Sequence, residues 1–166
     1  MNEKITFTPA STRDDIQGIT RLAEIIWREH YIPIIGKPQV DYMLEHFQSG
    51  KAIQEQLERG VFYFSIRVGA QSAGYLAFEK REQTLFLSKI YLLDSFRGKG
   101  IGKRAMAFVE EKAHALNCHS ITLTVNKYND RSINAYSTMG FKITGGEITD
   151  IGGGFAMDDY RMEKEL

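Results

Sequence analysis

The chain has 166 residues, 43% hydrophobic and 25% charged, which suits a single compact domain, residues 1–166, with a sizeable core. Its 21 basic and 21 acidic residues cancel, so no global field argues for nucleic acid or an anionic membrane as a partner. The lone cysteine, Cys118, excludes an internal disulfide and a thiolate zinc framework, and the chain shows neither an apolar leader core nor the roughly 18-residue apolar run of a membrane span, so a cytoplasmic protein is expected.

Lys4 to Thr8 alternates and is β-branched, as a first strand would be. Thr12 or Asp14 caps a helix whose apolar positions Ile16, Ile19, Ala23, Ile26 and Trp27 recur at helical spacing, with an end expected near His30. Pro33, Gly36 and Pro38 then interrupt the pattern. VDYMLEHF and AIQEQLER read as one or two shorter helices split near Ser49-Gly50, a candidate lid or substrate wall. From Gly60 the period becomes two. VFYFSIRV, a turn at Gly69 to Ser72, AGYLAFEK and TLFLSKIYLL read as a three-stranded antiparallel meander, whose last strand, Leu85 to Leu93, reads as a central strand of the sheet.

After a glycine-rich segment, Ile101, Ala105, Phe108, Val109, Ala113 and Leu116 mark a helix of about four turns. Ser120 to Val125 is a strand, Arg131 to Met139 a short helix and Phe141 to Ile148 a strand. A flexible Gly152-Gly153-Gly154 turn leads to a last strand near Tyr160 to Lys164. The order β-α-α-β-β-β-α-β-α-β-β gives a mixed α/β (α+β) fold, a mostly antiparallel central sheet flanked by helices. His30, His46, His114 and His119 lack ligand spacing, so no metal site is expected.

The segment Arg97-Gly98-Lys99-Gly100-Ile101-Gly102-Lys103 joins the central strand to the long helix. A helix start exposes backbone N–H groups without partners and carries about half a positive charge. Glycines there let the backbone approach an anion closely, and Arg97, Lys99 and Lys103 add cationic donors, so the ligand expected is a pyrophosphate. A nucleoside-triphosphate loop of the GxxxxGK[ST] type needs a hydroxyl where this chain has Arg104. A dinucleotide fingerprint belongs on the first turn of a parallel unit and has GxGxxG spacing; this turn follows a meander and reads GxGxG.

Arg97-x-x-Gly100-x-Gly102, followed by helix, strand and then Asn129-x6-Tyr136-x3-Gly140-Phe141, resembles the GCN5-related N-acetyltransferase family over nearly the whole chain. The resemblance implies that acetyl-CoA is the cosubstrate, with its pyrophosphate on Gly98, Lys99, Gly100, Ile101, Gly102 and Lys103. It also implies that Ile90, Tyr91 and Leu92 line the pantetheine arm through their backbone and that Asn129 bonds the pantetheine region. Asn129 also suits a plain cap of the next helix. Tyr136 matches the family tyrosine near the CoA sulfur; the alternative is a half-buried aromatic on an amphipathic helix.

Acetyl transfer to an amine needs a neutral nucleophile, and an alkylammonium of pKa near ~10.4 offers about one molecule in a thousand at neutral pH. The catalytic candidates are Tyr136, as proton donor to the leaving thiolate, and the Leu92 N–H, polarising the thioester carbonyl. Attack would be direct, in a ternary complex, without use of Cys118. Where some family members carry a glutamate base, this chain has Thr124. Glu79 and Glu82 are candidates for the base, though each reads more readily as a solvated turn charge, and a water chain ending on backbone carbonyls would also serve.

The N-terminal helices, the IYLLDSFRGKGIG segment and the C-terminal tail are similar to a PaiA-like branch that acetylates polyamines. Glu147, Asp150, Asp158 and Asp159 are then either a cation-binding groove or edge-strand charges. Three readings stand: a small-amine, foremost polyamine, acetyltransferase; a protein N-terminal or lysine acetyltransferase; and a non-catalytic acyl-CoA-binding module. The exposed final strands offer an edge for a homodimer.

Overall fold

The computed structural model describes residues 3–166. The elements are β1 (Ile5–Pro9), α1 (Arg13–Ile35), α2 (Lys37–Phe47), α3 (Gly50–Glu58), β2 (Phe62–Val68), β3 (Gln71–Arg81), β4 (Thr84–Leu92), α4 (Ile101–Ala115), β5 (Ser120–Asn126), α5 (Asp130–Thr138), β6 (Lys142–Gly152) and β7 (Phe155–Glu165). The strands form a seven-stranded sheet in the order β1-β2-β3-β4-β5-β7-β6. Its registered pairs are antiparallel except β4 with β5, which is parallel over Thr84–Phe86 against Ser120–Thr122. A mixed, mostly antiparallel sheet with helices is the fold the periodicity implied. Among the described residues, no helix is long and apolar enough to cross a membrane.

The chain divides into two compact units: the residues up to Glu79 with Lys89–Met106, and Lys80–Ser88 with Ala107–Leu166. In the first, Thr12 caps α1 reciprocally with Asp15: the Asp15 N–H donates to Thr12 Oγ1, and the Thr12 N–H donates to the Asp15 carboxylate. Ile16, Ile19, Ala23, Ile26 and Trp27 are buried, as their spacing required. The helix does not stop near His30. It runs on to Ile35 with Pro33 inside its last turn, which forgoes the one ladder bond that a residue 33 N–H would make to Glu29. Gly36, at φ 86°, ends it. The following stretch forms two helices, the second capped by Ser49.

Beneath α2 and α3, buried Gln48 accepts from the Tyr75 hydroxyl at 2.6 Å and donates to the Tyr63 hydroxyl at 3.1 Å. Tyr63 in turn donates to Gln56 at 2.5 Å. Polar atoms this deep require such partners. Burial pushes the Tyr63 phenol up to about 12.

In the second unit, Ile121, Leu123 and Val125 of β5, with Met162 of β7, are buried along with Val109 and Ala113 of α4. Lys164 of β7 pairs with Glu110 of α4. Both last strands are longer than the sequence pattern implied: β6 runs to Gly152 and β7 begins at Phe155, five residues before Tyr160. Gly152, Gly153 and Gly154 all have positive φ, at 90°, 60° and 82°. They therefore make a tight hairpin turn, which carries the ladder to the tip where a flexible connection would have frayed it.

Candidate active site

The glycine segment sits in the first unit, between the end of β4 and the start of α4. Leu93 donates to the Ala73 carbonyl at 2.8 Å, and Asp94–Phe96 forms one 3₁₀ turn. Gly98 and Gly100 take φ 74° and 77°, a region that favours glycine. The first α-helical bond of α4 runs from the Arg104 N–H to the Gly100 carbonyl at 3.2 Å. The N–H groups of Ile101, Gly102 and Lys103 therefore precede the ladder and have no carbonyl inside the helix. A Cβ built on Gly98, Gly100 or Gly102 would meet nothing within 4 Å. The surface over these N–H groups is open, and the missing side chains are what keep it so.

The cations divide. Arg97 turns back on the strand it follows: its Nε donates to the Leu92 carbonyl at 3.3 Å, and its guanidinium lies 3.9 Å from Asp94. Lys99 and Lys103 are exposed. Lys99, whose Nζ is 5.8 Å from the Phe96 ring, borders an open depression of about 550 Å³ lined also by Gln71, Ser72, Ser95 and Phe96.

At the end of β4, the Leu93 bond to Ala73 fixes which edge faces β3, and strand alternation turns the Leu92 N–H to the other edge. The registered pairing of β4 with β5 has by then ended, at Phe86. Gly74 of β3 is a supporting residue that lies outside the sequence motifs. A Cβ on it would collide with the Tyr91 carbonyl and lie 3.0 Å from the Leu92 Cα. A glycine inside an otherwise apolar strand, as in AGYLAFEK, is the signal for such a close approach.

The Tyr91 side chain is engaged elsewhere. Its hydroxyl is hydrogen-bonded to that of Tyr31 at 2.9 Å, and its ring lies 5.6 Å from both Trp27 and Tyr75. Only its backbone is left for the pantetheine role. Lys89, two residues earlier, has its Nζ 5.7 Å from the Tyr63 ring. Burial lowers its ammonium to about 8 against the opposing charge of Glu79. Glu79 thus faces a lysine, and Glu82 is an exposed turn residue at φ 58°.

In the second unit, Asn129 is buried and caps α5, its Oδ1 accepting from the Ser132 N–H at 3.3 Å. The cap alternative is therefore realised in the structure. Two bonds end the same helix, Gly140 N–H to the Ser137 carbonyl and Phe141 N–H to the Tyr136 carbonyl, both at 3.1 Å, with Gly140 at φ 98°. This is a Schellman ending, and it gives Tyr-x3-Gly-Phe a physical meaning. The reversal brings buried Phe141 edge-on to Tyr136 at 5.8 Å between centroids, fixing the half-buried tyrosine ring.

A profile of the Acetyltransferase (GNAT) family matches residues 19–141. The chain belongs to that family. Among curated GNAT-like relatives, an uncharacterized N-acetyltransferase in the pepI 3′ region of Lactobacillus delbrueckii subsp. lactis is 30% identical over 89 residues. That match covers 49% of this chain and 51% of the relative, so the chain spans about half the length of that protein. The PaiA N-acetyltransferase of Thermoplasma acidophilum, solved in complex with coenzyme A, superposes with a TM-score of 0.83 at 19% identity, over 98% of this chain and 99% of that one. A spermidine N-acetyltransferase chimera from Vibrio cholerae and hSSAT gives 0.70 at 17% identity, over 97% and 95%. At these identities the two structures establish a shared GNAT fold.

Proposed function

We propose that the protein is an acetyl-CoA-dependent N-acetyltransferase whose acceptor is a small cationic primary amine, foremost a polyamine. The observation that carries the cosubstrate is the run of open backbone N–H groups over Ile101 to Lys103, preceded by left-handed Gly98 and Gly100 and flanked by exposed Lys99 and Lys103. Bound there, acetyl-CoA supplies an activated acetyl thioester. Gly98, Lys99, Gly100, Ile101, Gly102 and Lys103 hold the diphosphate, while Arg97 braces the Leu92 carbonyl behind them. The backbone of Ile90, Tyr91 and Leu92 receives the pantetheine arm, and the Leu92 N–H polarises the thioester carbonyl. Asn129 bonds the pantetheine region, and Tyr136 protonates the departing thiolate. The acceptor attacks directly. Cys118 is buried and takes no part.

The cationic acceptor is supported by the carboxylates of β6 and β7 and by the likeness in fold to PaiA and to a spermidine acetyltransferase. The test is thiol release from acetyl-CoA with spermidine, spermine, an N-terminal peptide and a lysine peptide, each beside Tyr136→Phe. The expected result is turnover with the polyamines and a tenfold or greater fall of kcat in the variant. Turnover with peptides alone would move the acceptor to protein; saturable binding with no turnover would leave an acyl-CoA-binding module.

A further inference from the structure

Three neighbouring strands of the second unit carry one row of polar side chains. Asn126 of β5 stands opposite Asp159 of β7, and Asp159 stands opposite Glu147 of β6. Residues paired in this way project from the same face. The ion pair of Lys164 with Glu110 shows which side of β7 meets α4. By alternation Asp158, Tyr160 and Met162 share the Lys164 side, and Asp159, Arg161 and Glu163 look the other way.

Two adjacent aspartates therefore meet different fates. Asp158 lies 2.9 Å from the Lys127 ammonium, which also sits 5.5 Å from the Tyr160 ring. Asp159 is only 4% exposed, and among the described residues its Oδ1 has no hydrogen-bond partner. A buried carboxylate oxygen without a donor is costly, and it points to a donor that arrives from outside. Burial first, then Glu147 and Asp158, push its carboxyl up to about 6, with Lys127 opposing. Arg161, two positions on and on the same face, is exposed.

Thr124 stands opposite Arg161 and two residues before Asn126. Asp159 is therefore its diagonal neighbour, on the order of 7–8 Å away. The position where the sequence offers no base has a buried carboxylate one strand over.

We propose that Asp159, in the row Asn126, Asp159 and Glu147, is the proton acceptor for the incoming ammonium group, and that the row's paired carboxylates select a cationic amine. The proposal rests on the acetyltransferase reading above. The Asp159 carboxylate takes one proton from R–NH3⁺, leaving R–NH2. The nitrogen lone pair forms the C–N bond to the acetyl carbon as the C–S bond breaks. The second proton shed by nitrogen reaches the CoA sulfur by way of Tyr136, and Asp159 returns its proton to water. The balance is R–NH3⁺ plus acetyl-CoA to the acetamide, CoA–SH and one H⁺.

The test follows kcat/KM against pH for the full chain with spermidine and acetyl-CoA. The wild type should lose activity below about pH 6. Asp159→Asn should lower kcat by about 100-fold or more, retain acetyl-CoA affinity, and show a rate that climbs with pH as free amine appears. Asp159→Glu should restore part of kcat, and Glu147→Gln should move the acid limb to lower pH. An Asp159→Asn rate within threefold of wild type, with the limb in place, overturns the proposal.

A carboxyl-carbon NMR titration of the wild type, with Asp159 assigned from the Asn variant, is independent of turnover. Spermidine should strengthen the acidity of Asp159 by tenfold or more, and an unmoved midpoint also overturns the proposal. If no amine is turned over, the acetyltransferase reading falls, while this titration still decides whether Asp159 meets the cation.

Discussion

The glycine segment before α4 and the polar row of β7 are built on opposite plans. The first is contiguous: one run in sequence, Gly98 to Lys103, presents its own backbone, and side chains matter chiefly by being absent. The second is assembled from three strands, and Asp159 takes its character from burial first and from the cross-strand neighbour Glu147 second. A contiguous site tolerates change around it and fails at its glycines. A cross-strand site fails wherever register or pairing fails.

The largest effect that would sharpen this contrast is Gly100→Val. A branched side chain at φ 77° strains the turn by about 1–3 kcal/mol and covers the N–H groups. Acetyl-CoA affinity by calorimetry should fall at least 100-fold in a chain that still folds, and a loss under threefold would break the backbone account.

Next is the stability of Asp159→Asn. A carboxyl raised to about 6 binds its proton more tightly folded than unfolded, where its value is near 3.8. Its ionised form therefore costs stability, a cost absent below about pH 4 and complete above about pH 6. The variant should gain on the order of 2–3 kcal/mol in denaturant melts at pH 8 and nothing at pH 3.5. A gain independent of pH would mean that charge is not what distinguishes the row.

The smallest effect is Lys99→Ala. Loss of an exposed lysine beside the proposed backbone-built anion site should weaken acetyl-CoA binding about two- to fivefold at low salt and less at high salt. A loss rivalling that of Gly100→Val would transfer the recognition from backbone to side chain.

The same contrast explains what could be read from the chain. The helical period of α4, the strand period from Val61 to Leu92 and the glycine spacing between them are local, and each was legible. Asn129 was legible only as a pair of roles, because an Asx cap and a ligand contact share one signature; the Ser132 bond shows the cap. Asp158 and Asp159 are the same residue twice. Which one faces Lys127 and which one is buried is decided by the hairpin register, and three glycines with positive φ set where that hairpin turns. The extension of α1 past Pro33 escaped notice because proline signals a break regardless of how little helix remains after it.

Trp27 gives the chain a built-in optical probe. It is the only tryptophan, it is buried, and its indole lies 5.6 Å from the Tyr91 ring, one residue before Leu92. Emission excited selectively at indole thus originates from a single site packed against the end of β4. Any ligand that displaces that strand end is observable by fluorescence without a label, in a protein whose other eighteen aromatic side chains, all Tyr or Phe, stay dark at that wavelength.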